Sequence, residues 1–113
     1  MRYNDRLQTI GKLHQSVVPN TYHYFRPQLQ APFLVWAETG PEKFYVNNKT
    51  GEFTITGTTD YFTALEFDPA VDKLIDLYEA FGFEWSLETV FEPETSLIHH
   101  SFTWGACHGD LSI

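Results

Sequence analysis

The chain has 113 residues, of which 42% are apolar and 17% aromatic, a composition that excludes intrinsic disorder and predicts one folded domain over residues 1–113. Its 7 basic residues stand against 15 acidic ones, for a formal charge of -8, so phosphate backbones and anionic lipid surfaces are poor partners. Neither specific nucleic-acid binding nor membrane association is expected. The lone Cys107 cannot close an intrachain disulfide or supply a four-cysteine zinc site.

No stretch approaches the roughly 18 consecutive apolar residues of a membrane span. The opening MRYNDRLQTIGKLH lacks the apolar run of a signal peptide, and the expected location is the cytoplasm. From Tyr3 to about Val17, Leu7, Ile10, His14 and Val17 recur at helical spacing, which predicts an amphipathic first helix that stops near Val18, ahead of Pro19. Tyr22 to Phe25 is a short aromatic strand, followed by an irregular connection to Pro32.

Phe33 to Ala37 is a continuous apolar run, the pattern of a central strand covered on both faces. Thr39-Gly40-Pro41 reads as a break and Phe44 to Val46 as a further strand. The Asn47-Asn48-Lys49-Thr50-Gly51 stretch predicts a hairpin turn. Phe53, Ile55, Thr59 and Tyr61 then share one strand face with Gly57, whose missing side chain signals a bulge or a close backbone approach.

Asp68 and Pro69 mark a helix start. Val71, Leu74, Ile75, Tyr78 and Phe81 form its apolar stripe, and Gly82 ends it. Phe83, Trp85, Leu87, Thr89 and Phe91 alternate with polar neighbours on a half-buried strand. A turn at Glu92-Pro93-Glu94-Thr95 leads to a last strand with Ile98, His100, Phe102 and Trp104 on one face and Leu97, His99, Ser101 and Thr103 on the other. The tail 105–113 shows no pattern and is expected to be flexible. The fold class is therefore α+β, a mainly antiparallel sheet with two amphipathic helices packed on one face.

Two helices leave the other sheet face bare, and Leu34, Trp36 and Leu97 are expected to lie on it. Uncovered apolar surface usually meets another chain. The candidate oligomer-interface residues are Leu34, Trp36 and Leu97, together with Phe44, Val46, Asn47 and Asn48 on the projecting hairpin.

Catalytic chemistry has no comparable support. His99, His100 and His108 lie near Cys107, but adjacent strand residues point to opposite faces, so His99 and His100 cannot share one ion. Cys107-His108 lacks a third orienting group. The carboxylates of Asp72 and Asp76, and of Glu84, Glu88 and Glu92, fall on polar faces and read as solvated surface. No phosphate-cradling glycine loop occurs. No catalytic, cofactor or metal residue is assigned, and a non-enzymatic protein is expected. The alternative is a small-molecule or metal-binding α+β domain with hydrolytic activity near His99 and His100.

Three phrases, VPNTYHYFRPQLQAPFLVWAETG, TGTTDYFTALEFDPAVDKLIDLYEA and HHSFTW, resemble small proteins encoded in tail-assembly regions of phages and prophages of Gram-positive bacteria. The layout is similar to that of tail terminators, also called tail completion proteins; related neck and minor capsid proteins share such folds. The resemblance implies a hexameric ring of identical subunits that caps the tail tube and meets tail-tube and head-tail connector proteins. It places the protein in the host cytoplasm during assembly and in the virion tail or neck afterwards. It assigns no role to any single residue. A ring through which DNA passes gains from an acidic lining, which the charge of -8 per chain would supply.

Overall fold

The computed structural model describes residues 2–26, 30–42 and 53–107. In chain order these form α1 (Tyr3–Val17), β1 (Thr21–His23), β2 (Phe33–Glu42), β3 (Thr54–Thr63), α2 (Pro69–Ala80), β4 (Glu84–Glu92) and β5 (Leu97–Cys107). The strands build one sheet in the order β1-β2-β3-β5-β4. All neighbours pair antiparallel except β1 and β2, which run parallel. The α+β class with two helices on one face is observed.

The helical periodicities account for the core. Ile10 and Leu13 of α1 and Leu74 and Tyr78 of α2 are buried against Leu34, Trp36, Ile55, Phe102 and Trp104 of the sheet. α2 starts as its sequence dictates: Asp68 accepts a hydrogen bond from the Ala70 N–H at 2.9 Å, with Pro69 at the first helical position. The same carboxylate also accepts from Tyr61 and Thr63, each at 2.7 Å, tying the cap to β3. Gly82 takes the left-handed φ of 70° that ends the helix.

The buried stripe of α1 includes two polar residues. His14 is fully buried; its Nδ1–H donates to the Ile10 carbonyl at 2.8 Å, and Nε2 faces the hydroxyls of Tyr78 and Thr59, each at 2.8 Å. Thr59 accepts in turn from the Trp104 indole N–H at 2.8 Å. Every polar atom of this cluster thus has a partner, the condition for burying it at modest cost. Arg6, also buried, donates to the carbonyls of Phe53 at 3.1 Å and Ala106 at 3.0 Å, clamping α1 onto one end of β3 and β5.

Three expectations are corrected. The Thr39-Gly40-Pro41 break is absent, because β2 runs unbroken to Glu42 and absorbs the irregularity as a register shift between Glu38 and Gly40. Among the described residues no strand pairs with this side of β2 beyond Trp36, where β1 ends at His23, so the missing N–H of Pro41 breaks no ladder bond there. The separate strand at Phe44 to Val46 lies outside the described residues. The short first strand covers Thr21–His23 and stops short of Phe25, since Tyr24 turns to a φ of 75°. The tail is not patternless at its start: Gly105, Ala106 and Cys107 continue β5, pairing with Thr56, Ile55 and Thr54, and Ala106 is fully buried under Arg6.

Gly57 is where the sequence signalled a close approach. A Cβ there would lie 2.5 Å from Trp104 Cζ2 and 2.6 Å from the Ala37 carbonyl oxygen. The Trp104 ring crosses the strand at this point, and only hydrogen fits beneath it.

Candidate interaction surfaces

The expected bare apolar face is not what the sheet presents. Leu34 is 0% and Trp36 4% exposed, and both face the helices. Trp36 is stacked between His23, at 4.0 Å, and His14, at 5.9 Å. Their assignment to the open face is therefore corrected: register pairs Leu34 with Tyr61 and Trp36 with Thr59, on the buried side of β3. Leu97 does lie on the open face, half-buried beside a cleft lined by Arg26, Phe33, Ala64 and Thr95. Phe44, Val46, Asn47 and Asn48 fall outside the described residues.

Most of the open face is hydroxylic or charged, carrying Thr58, Asp60, Ser101, Thr103, Ser86 and Glu88 by strand alternation. Its aromatic pair, Phe33 and Phe62, stacks at 4.8 Å and is shielded from solvent. The Arg26 guanidinium sits 4.3 Å above the Phe62 ring and binds Glu92 at 3.1 Å, while His99 stacks on Phe62 at 4.3 Å and donates to Asp60 at 2.7 Å.

Exposed apolar side chains lie in two places, after β1, where Phe25 is 77% exposed, and at the end of the sheet where α2 begins. Phe67 is 91% exposed, Phe91 and Val90 each 58%, and Leu65 57%. Between the first turn of α2 and the β4–β5 hairpin runs a groove of about 390 Å³, lined by the apolar Phe67, Val71 and Ile98 together with Glu66, Asp68, Asp72, Thr89 and His100. The Asp68 carboxyl is held below its usual range although burial works against it, because Tyr61, the Ala70 N–H and Thr63 all donate to it. Burial lowers the His100 pKa, with Asp68 opposing that shift; its Nδ1 is 2.9 Å from the Thr89 hydroxyl.

The sequence held an unread signal for this groove. A hydrophobic residue just before an N-cap normally packs on an apolar residue at the fourth helical position. Here that position is Asp72, so Phe67 has no staple partner. Phe67 also adopts a φ of 59°, a left-handed conformation that suits glycine or asparagine far better than a bulky ring.

His99 and His100 point to opposite faces, His99 toward Asp60 and His100 toward Thr89. Among the described residues no group of three or more His, Cys, Asp or Glu side chains is placed to hold a metal ion. The His14 cluster is buried in the core, where it orders packing. At the far edge of the buried face, Glu38 accepts from His23 at 2.6 Å and from the Tyr24 hydroxyl. That hydrogen bond, then burial, pushes the Tyr24 pKa up to about 12. Among the described residues no helix is long and apolar enough to cross a membrane.

No family model and no curated protein matches the sequence. Among solved structures, the chain is similar to one in the virion of a native gene transfer agent particle. The TM-score is 0.52 at 12% identity, over 92% of this chain and 89% of that one. At that identity the likeness is one of fold.

Proposed function

We propose that this chain is a non-enzymatic structural protein of a phage or phage-like particle, a tail terminator or head-tail joining component that works as a ring of identical subunits. The observation that carries the reading is the fold likeness to a gene transfer agent virion chain, which spans nearly the full length of both. Exposed aromatic side chains at more than one place, Phe67 and Phe91 beside α2 and Tyr24 and Phe25 after β1, support it, since repeated contact around an axis needs a patch that meets a different patch on the next copy. The charge of -8 per chain fits a lumen that repels passing DNA. Partners are then further copies of the chain, tail-tube proteins and head-tail connector proteins.

Light scattering and negative-stain electron microscopy of concentrated protein test this. Closed rings of one discrete size are expected. A protein that stays monomeric and binds neither heads nor tail tubes from a particle-producing strain overturns the proposal.

A further inference from the structure

We propose that the groove beside Phe67 docks a basic amphipathic helix of a different protein. This deepens the reading above, on which it rests for the partner being another component of the particle. The groove, of about 390 Å³, brings the apolar side chains of Phe67, Val71 and Ile98 together with the carboxylates of Glu66, Asp68 and Asp72. Three donors hold the Asp68 carboxyl below its usual range, and burial lowers the His100 pKa, so at neutral pH the charge lining the groove is negative. Apolar contact flanked by opposite charge is the usual composition of a specific contact, which makes the matching surface apolar and cationic.

The form of the partner follows from the strands beneath. β5, which contributes Ile98 and His100, is paired with β3 on one side and with β4 on the other. No open ladder among the described residues therefore runs along the groove to take up an added strand. The groove offers side chains alone, the setting in which a helix seats its apolar face. Charge argues against a second copy as the occupant. Groove laid on groove would set carboxylates against carboxylates, and the chain carries 15 acidic residues to 7 basic ones. Among the described residues the exposed cations are Arg2, Lys12, Arg26 and Lys73. Arg26 follows the exposed Tyr24 and Phe25, but Glu92 already holds it at 3.1 Å. Arg2 and Lys12 stand nearly three helical turns apart, and Lys73 flanks the groove's own Asp72. Contacts between copies are left to Val90 and Phe91 on the outermost strand and to Tyr24 and Phe25 after β1, all of them exposed.

The test uses the full chain and a fluorescein-labelled synthetic peptide about four helical turns long, with leucines spaced three and four apart and lysines flanking them. Fluorescence anisotropy should show saturable binding that weakens with salt, and amide chemical shifts should move at Phe67, Val71 and Ile98. Versions with serine for leucine, or with glutamate for lysine, should bind at least about tenfold more weakly. Phe67→Asn suits the local φ of 59°, so it should fold and form rings as the parent does. It should bind the peptide roughly tenfold more weakly or worse, the value of burying one phenyl ring. Glu66→Lys with Asp72→Lys, both at exposed positions, should lose the lysine peptide and gain the glutamate one.

Absence of peptide binding, shifts confined to another surface, equal binding of the serine version, or a charge swap that leaves the preference unchanged overturns the groove contact and leaves the ring reading standing. Rings lost in Phe67→Asn give the groove to a second copy and overturn the contact with a different protein. Groove binding by a chain that joins neither its own copies nor heads nor tail tubes overturns the virion reading and, with it, the placing of the partner in a particle.

Discussion

Acidification addresses the buried His14 directly. Desolvation holds its pKa at about 4, against an ordinary value of 6.5, despite the favourable bond to the Ile10 carbonyl. The native state therefore refuses a proton that the unfolded chain accepts. Between about pH 6.5 and 4 the unfolded state carries the excess protons, so stability falls as pH falls. With those two values, going from pH 7 to pH 5 removes about 2 kcal/mol, and the loss levels off near 3 kcal/mol below the folded value. Urea unfolding followed by tryptophan fluorescence measures this in the parent and in His14→Phe. The variant starts less stable at pH 7, because the Thr59 and Tyr78 hydroxyls lose their acceptor, but its loss between pH 7 and pH 5 shrinks by about that 2 kcal/mol. His100, whose pKa burial also lowers, contributes a slope common to both proteins and cancels in the difference. Equal pH slopes in parent and variant would refute the assignment of this proton-refusing site to His14.

Other substitutions probe the remaining contacts. Gly57→Ala forces a Cβ against Trp104 and the rigid Ala37 carbonyl, so the urea midpoint should drop by an amount equivalent to about 2 kcal/mol or more; an unchanged midpoint contradicts the close approach. Arg6→Ala leaves the Ala106 and Phe53 carbonyls without their donor and should cost about 3 kcal/mol. Hydrogen exchange should quicken at the Cys107 end of β5 before it does at the Leu97 end. Asp68→Ala removes the helix cap together with two hydroxyl partners, for about 2 kcal/mol, while Asp68→Asn retains the cap and should lose less. Calorimetry ranks the pair, and the opposite order would refute the capping role.

What could be read from the residues depended on whether the deciding interaction was local. The two helices, the Asp68-Pro69 start and the β4–β5 alternation follow from spacing within a few residues, and they stand where the sequence put them. Gly57 was legible because a glycine inside a strand pattern marks a bulge or a tight approach, and Trp104 supplies the approach. Errors arise where register decides. Phe33 to Ala37 is apolar on both faces, so nothing in that run tells which alternate set meets the helices, and the side that Leu34 and Trp36 take is fixed only by pairing with β3. The bulge at Glu38 and Gly40 resembles a turn in sequence because both use the same residues. The shield over Phe62 comes from Arg26, and no local rule links Arg26 to Glu92 across the sheet. Arg6 falls four residues before Ile10 on the buried stripe, yet an arginine near the start of a helix reads as a solvated charge unless its distant carbonyl partners are known. For the groove, the missing staple partner at Asp72 was visible in the sequence, whereas the left-handed turn at Phe67 that opens it was not.

The two rims of the sheet differ in a way that bears on aggregation at high concentration. β1, at one rim, is only three residues long, too short to template another strand. β4, at the other, spans nine residues and is guarded by Glu84 and Glu88 on its exposed side. A sister β4 laid against it would bring like charges together, and on the other margin the stretch of β2 beyond β1 carries Pro41, which cannot donate to an added strand, so edge-to-edge pairing is opposed. At high concentration the chain is thereby steered away from open-ended strand pairing.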